Sequence, residues 1–331
     1  MERKHYARMM CNLAKQPNSL KDLQETLRAD LSIDEPDGQG RSPLWHAANQ
    51  NPDVRVIKFL LDHGAKMQRE ILREAVIANP NPTIALTLLD AWQPLDQTIL
   101  DEMFVLAAAS RNDTELLSEL HQRGADVQAK LPMDMYPDVD QCACMWDDDE
   151  DGDDDEPLFD EHPVLQNAIV VAIYENPHPA EIVEELLRLG VKCDEPDEEG
   201  YAPLLHALDS PEVLRILIDH GADPDTADPN GYSALMLACE AENNASAMAL
   251  IELGSSVKAI SVDGETALHL ALECHVTDNS DVVRALIAAG ADVDARDREG
   301  FTPLRLALAN CAPQSVIDVL TSAGAVLDPV P

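Results

Sequence analysis

Aromatic side chains are scarce in this chain of 331 residues: Phe, Trp and Tyr together make up 4%. Apolar residues still reach 45%, so a core must be built from Leu, Ala, Val and Ile. Cations are few as well. There are 23 Lys+Arg against 62 Asp+Glu, a net charge of −39. That balance excludes nucleic acid and anionic membrane surfaces as direct partners, because both need clustered cations. No long apolar run exists; the longest, Ala168 to Tyr174, falls far short of a membrane span. The start, MERKHYARMM, lacks the apolar stretch of a secretory signal. The seven Cys are odd in number and have no paired spacing, so reduced thiols in a cytosol fit better than a disulfide framework. Length alone suggests two or three domains.

The acid is unevenly placed. Residues 1–130 hold 15 Lys+Arg and 19 Asp+Glu, net −4, whereas residues 131–331 hold 8 and 43, net −35. No Lys or Arg occurs between Lys130 and Arg188. At the extreme, Asp147, Asp148, Asp149, Glu150, Asp151, Asp153, Asp154, Asp155 and Glu156 are interrupted only by Gly152. Such a run repels itself and has nothing to bury, so it reads as a flexible acidic insertion within residues 128–162.

An internal repeat dominates the rest. An apolar residue is followed three places later by Ala at Leu44/Ala47, Leu72/Ala75, Val105/Ala108, Leu165/Ala168, Leu204/Ala207, Leu235/Ala238, Leu268/Ala271 and Leu304/Ala307. The intervals of 28, 33, 60, 39, 31, 33 and 36 cluster near one unit length, and the 60 contains the insertion. A small residue at the Ala place lets two helices approach closely. Apolar runs such as Ile57–Leu61 and Val282–Ile287 follow with helical spacing. A Gly then closes each run, at Gly64, Gly124, Gly190, Gly221, Gly254, Gly290 and Gly324, with Ala91 in that place in the second unit. Gly past a helix end is a left-handed stop. Gly40, Gly200, Gly231, Gly264 and Gly300 mark turn tips ahead of the next unit. The unit is therefore tip, short helix, loop, longer helix, stop.

These residues resemble the ankyrin repeat, with its T-P-L-H-x-A helix start and later Gly-Ala-Asp. The strongest matches are Thr266-Ala-Leu-His-Leu-Ala271 with Gly290-Ala-Asp292, and Thr302-Pro-Leu-Arg-Leu-Ala307 with Gly324-Ala325. Ser42-Pro-Leu-Trp-His-Ala47, Ala202-Pro-Leu-Leu-His-Ala207 and Ser233-Ala-Leu-Met-Leu-Ala238 follow. The resemblance covers roughly residues 36–329 outside the insertion. It implies an all-α ankyrin-repeat solenoid of helix-turn-helix units with short turn tips: three repeats over 36–127, two of them degenerate, and five over 163–331 with a C-terminal cap. Residues 1–35 read as an N-terminal cap, with Leu20, Leu23 and Leu27 on one face.

The resemblance further implies a non-enzymatic protein-binding scaffold or adaptor, with tips and first helices lining a concave surface. At the tips, the expected partner-binding residues are Arg41, Glu198, Glu199, Tyr201, Asn230, Tyr232, Glu265, Arg298 and Phe301. Three of the nine Tyr+Phe occupy one equivalent place after the tip Gly, expected to be exposed. Aromatics in a polar rim are binding anchors; the competing reading is that they pack along neighbouring tips. The charge points to a basic protein partner. An alternative role is an ankyrin immunity protein or antitoxin that inhibits a basic toxin or nuclease.

Other chemistry is thinly represented. Asp147 to Gly152 fits the opening of a calcium loop, but place 12 is Leu158 rather than Glu. Cys142 and Cys144 form a C-x-C without a second ligand pair. No metal or cofactor is expected. Cys239, Cys274 and Cys311 follow first helices and are expected to be buried. His269 stands at the family's T-P-L-H place, where the resemblance implies an imidazole bridging backbone groups between units. His63 and His220 suit helix C-termini. No H-E-x-x-H, phosphate loop or nucleophile elbow occurs, and Gly38-Gln-Gly40 opens a tip rather than a dinucleotide site.

Overall fold

The computed structural model describes residues 2–27, 32–92, 95–110, 114–132, 165–273 and 279–327. The chain divides into two compact units, Met1–Val191 and Lys192–Pro331. Each is built from helix pairs, and the local sequence marks several of their boundaries. The block Ser42-Pro43-Leu44 starts α3 (Pro43–Gln50): the Ser42 hydroxyl accepts from the Trp45 N–H at 3.2 Å, and Pro43 needs no donor partner in the first turn. Ser233 caps α13 (Ala234–Glu240) in the same way. The stop glycines all adopt positive φ between +87° and +101°. At Gly64 this lets the Gly64 N–H reach Leu61 O at 2.9 Å and the Ala65 N–H reach Leu60 O at 3.0 Å, closing the last turn of α4 (Val54–Asp62).

In the first unit, α1 (Glu2–Ala14) and α2 (Leu20–Thr26) precede four pairs. These are α3 with α4, α5 (Arg69–Ala78) with α6 (Pro82–Ala91), α7 (Gln97–Ala109) with α8 (Thr114–Gln122), and α9 (Ala168–Glu175) with α10 (Pro179–Arg188). The first helices pack in the order α1, α3, α5, α7, α9, and the second in the order α2, α4, α6, α8, α10. The core lies between these layers and contains Leu44, Ala47, Ile57, Leu60, Leu72, Ala75, Leu88, Met103, Phe104 and Leu117. Between α8 and α9, β1 (Lys130–Pro132) pairs antiparallel with β2 (Leu165–Asn167), Leu131 opposite Gln166. This is the one sheet among the described residues. It roots the acidic insertion, whose residues 133–164 lie outside the described residues.

The second unit repeats the plan with α11 (Pro203–His206) and α12 (Pro211–Asp219), α13 and α14 (Asn244–Glu252), α15 (Ala267–Leu270) and α16 (Ser280–Ala288), and α17 (Pro303–Ala309) and α18 (Gln314–Ser322). Again the first helices stack on first helices and the second on second. Both units are all-α repeat stacks.

Two polar features hold the layers that the apolar pattern does not reveal. Asn51 donates from Nδ2 to Ala14 O and Gln16 O, each at 2.8 Å. Asn79 donates to Ala48 O at 2.7 Å and Asn51 O at 3.1 Å. Asn176 reaches Ala108 O at 3.0 Å, Asn243 reaches Leu208 O at 2.7 Å, and Asn310 reaches Leu272 O at 3.1 Å. Each amide satisfies carbonyls at the end of the preceding first helix, so helix ends do not go unpaired in the interior. The second feature is Glu102 of α7, fully buried, which accepts from Arg69 Nε and lies 3.4 Å from Arg73, both on α5.

Two expectations fail here. The repeat mark Leu165/Ala168 is out of register, because Leu165 lies in β2 and Ala168 opens α9, so Ile169 and Ala172 fill the places that Leu44 and Ala47 hold in α3. Cys311 is exposed and has φ of +60°, because it sits in the turn just after α17 rather than on its packed face. Cys239 is buried in α13; Cys274 lies outside the described residues.

Candidate partner-binding surface

The five tips share one hydrogen-bonded frame. In the first unit the Asp37 carboxylate accepts from the Gln39 N–H at 2.8 Å and the Arg41 N–H at 3.1 Å through Oδ1. The Asp37 N–H in turn donates to Arg41 O at 3.0 Å. The same pattern joins Asp197 to Glu199 and Tyr201, and Asp228 to Asn230 and Tyr232. Asp297 holds the Phe301 N–H at 2.8 Å. At the remaining tip Ser261 substitutes, its hydroxyl accepting from Asp263 and Glu265 N–H at 3.2 Å each. The short side chain at the start of the tip thus replaces water on two backbone donors and fixes where the residue after the Gly points.

In two tips the second carboxylate oxygen is used as well. Asp37 Oδ2 lies 2.8 Å from His46 Nε2, and Asp197 Oδ2 lies 2.9 Å from His206 Nε2. These hydrogen bonds tie the tip to the first helix it precedes. Burial raises the Asp37 carboxyl, but the His46 bond and the two backbone N–H groups outweigh it and hold the group below the usual carboxylate range. His269 bridges units instead. Its Nδ1 accepts from the Thr266 N–H at 3.2 Å, so its Nε2 carries the proton and donates to Phe301 O at 3.2 Å. His63 and His220 place Nδ1 2.8 Å from Phe59 O and Ile216 O, at the ends of α4 and α12.

In Lys192–Pro331 the last three tips are stitched to one another. Asn230 O accepts from the Val262 N–H at 3.5 Å, and Asp263 O from the Arg298 N–H at 2.8 Å. The Arg298 guanidinium adds a 3.1 Å ion pair with Asp263. Tyr232 Oη donates to Glu265 Oε2 at 2.8 Å. Asn230, Tyr232, Glu265 and Arg298 are therefore brought together on successive tips. Tyr201, Tyr232 and Phe301 are half-buried rather than exposed. The Arg305 guanidinium stands 4.4 Å from the centroid of the Phe301 ring, and the Tyr201 ring lies 6.0 Å from that of His206. Glu198 and Glu199 are exposed. In the first unit Arg41 is exposed and lies 4.1 Å above the Trp45 ring. The acidic run Asp147–Glu156 lies outside the described residues.

The surface beside these tips is strongly anionic. Partial burial and then the charge of Glu265 push the Glu273 carboxyl up to about 7, with Glu240 and Asp297 adding to the shift. Glu240 is raised too, by burial and then by Glu265 and Asp228. Burial, followed by the bond to Glu265, moves the Tyr232 phenol up to about 12.

Two apolar side chains missed in the sequence belong to this surface. Ile260 and Val262 are 64% and 62% exposed beside Ser261. The tip register could have found them: Ser261 stands where other tips have Asp, four places before the residue after the Gly.

Stacked helix pairs joined by rigid, Asp-anchored tips define a repeat-built binding module. The family profile "Ankyrin repeats (3 copies)" matches residues 169–261 and 243–329, and the profile "Ankyrin repeat" matches residues 39–70. Together these cover more than half of the chain, which belongs to the ankyrin-repeat family. The chain is 33% identical over 170 residues to the B-cell lymphoma 3 protein homolog of Mus musculus, covering 49% of this chain and 35% of that protein. It is 34% identical over 128 residues to ankyrin repeat and SOCS box protein 6 of Homo sapiens, covering 35% and 30%. It is 33% identical over 136 residues to the nuclear factor NF-kappa-B p105 subunit of Gallus gallus, covering 39% and 13%. The matched stretch thus spans at most 35% of these three relatives. None of the three is an immunity protein, and the inhibitor alternative gains no support from them. No helix among the described residues is long and apolar enough to cross a membrane.

Proposed function

We propose that this chain is a non-enzymatic adaptor whose partner is a basic protein held on the tips of Lys192–Pro331. One observation carries the reading: three successive tips tied by hydrogen bonds, with the Tyr201 tip close to them at Pro229, present Tyr201, Tyr232, Ile260, Val262 and Phe301 among carboxylates. Half-buried aromatics need little further ordering on binding, and exposed aliphatics supply area to bury. The unit holds 7 Lys+Arg and 25 Asp+Glu, net −18, a field suited to steering a cationic partner. The acidic run Asp147–Glu156 adds nine more carboxylates to the chain. A reducing cytoplasm fits the free thiols of Cys11, Cys193, Cys239 and Cys311.

Stopped-flow association with a captured partner at rising salt tests the charge. The association rate is expected to fall steeply while the dissociation rate changes less. A flat salt dependence would remove the basic partner from the account. Tyr201→Ala, Tyr232→Ala and Phe301→Ala test the tips: at least one should cost about 2 kcal/mol of binding. Unchanged affinity in all three would move the site elsewhere.

A further inference from the structure

We propose that Cys11, Asp37 and His46 form a divalent-metal site in the first unit, with zinc the ion their chemistry fits. A thiol from α1, a carboxylate from the first tip and an imidazole from α3 offer ligand atoms all within 4.8 Å of one another. Among the described residues no other group of three such side chains is so close. Thiolate, imidazole and carboxylate are the ligand types zinc takes, and three protein ligands leave a fourth place for water. With the thiolate, the carboxylate and a neutral imidazole, a dication gives a net charge of zero.

The surroundings support a built site. His46 is 3% exposed, and its Nδ1 is buried with no hydrogen-bond partner. Nε2 is the nitrogen that faces Asp37, so it would be the metal ligand, with the ring proton on Nδ1. His269 in the second unit offers a contrast, because both its nitrogens are engaged. Asp37 Oδ1 is taken by two backbone N–H groups, which fixes the carboxylate and leaves Oδ2 facing His46. Cys11 Sγ lies 3.6 Å from Arg41 O, a long contact, and burial pushes its thiol up to about 11, a cost that metal binding has to offset. Asp197 and His206 repeat the Asp–His pair, but among the described residues no thiol joins them within 4.8 Å, so Cys11 is what distinguishes the first tip.

Tetrahedral zinc sets its ligand atoms roughly 3.5 Å apart. The present spread closes by about 1 Å, within a modest turn of the Cys11 side chain. A cleft lined by Lys4, Arg8, Glu35 and Gly38 opens beside Asp37 and gives a way in. Lys4 and Arg8 oppose a cation there, so the affinity is expected to be lower than that of a four-thiolate site. As the sulfur–metal bond forms, the Cys11 thiol proton leaves for solvent.

The test uses the full chain carrying Cys142→Ser and Cys144→Ser, which removes the C-x-C beside the acidic run, and cobalt(II) as the probe. One equivalent of cobalt is expected to give a thiolate-to-cobalt charge-transfer band in the near ultraviolet. Adding Cys11→Ser should abolish the band, while His206→Gln should leave it unchanged. Zinc should raise Tm in the first background and have no such effect once Cys11 is also replaced. No band, or a band that survives Cys11→Ser, overturns the proposal. If Cys11→Ser does not fold, Asp37→Asn is the second variant: cobalt affinity must fall about tenfold or more, and an unchanged affinity overturns the site.

Discussion

Individual side chains decide more of this fold than the apolar repeat suggests. Glu102 has no exposed surface, whereas Arg69 and Arg73 are partly exposed. Replacing both arginines by Ala strands a buried carboxylate and should cost about 3 kcal/mol or more. Glu102→Gln leaves two cations that can reach water and should cost less. Denaturant unfolding of both variants checks the asymmetry, and equal costs would contradict it. Glu273 sets a pH dependence in the second unit. Its folded carboxyl titrates at about 7, against an ordinary value of 4.5. Between these the folded chain binds more protons than the unfolded one, so this group's contribution lowers stability as pH rises. Glu273→Gln removes that contribution. The variant should be more stable than the parent above about pH 7 and converge with it near about pH 4. Thermal unfolding across that range checks it, and a constant difference would contradict it. The buried asparagines were legible only in part. Asn51 and Asn79 each stand four places after a repeat Ala, Ala47 and Ala75, whereas Asn176 stands four places after Ala172, which only the start of α9 at Ala168 puts in that place. An amide there reads as an ordinary loop residue until the carbonyls it meets are known.

At the scale of elements, helix starts and stops follow from Ser, Thr, Pro and Gly positions, which is why the pairs were legible. The tips were legible as turns, but not as a frame, because Asp37, Asp197, Asp228 and Asp297 act through backbone N–H groups that sequence does not display. Asp228→Ala removes an acceptor shared by Asn230 and Tyr232 and should cost about 1–2 kcal/mol in denaturant unfolding. Tip packing also discriminates between glycines. A Cβ at Gly264 would lie 2.9 Å from Arg298 N and 3.2 Å from Asp297 C, whereas one at Gly300 meets nothing within 4 Å. Both have positive φ, +81° and +84°. Gly300→Ala should cost about 1 kcal/mol for the backbone alone, and Gly264→Ala more. Comparable Tm losses would show that the tips are not in contact as described. The insertion leaves and returns through the β1–β2 pair. Deleting residues 141–161 should therefore leave Tm nearly unchanged, since a long closed loop contributes little. A large loss would place part of that segment on the solenoid.

For the whole molecule, the charge split was plain in the sequence, and the partner was not. Net charges of −4 and −35 on either side of Lys130 describe a field, while recognition depends on side chains whose exposure only the fold sets. Tyr201, Tyr232 and Phe301 were found by register but prove half-buried, and Ile260 and Val262 were passed over because their tip begins with Ser261. The central claim is that a basic protein docks on this stitched row of tips. The most direct test is parallel affinity capture with the wild-type chain and a folded variant carrying Tyr201→Ala, Tyr232→Ala and Phe301→Ala. The account predicts a basic protein that wild type retains at low salt, releases at high salt, and the variant fails to hold. An acidic partner, or one that both chains retain equally, would contradict it.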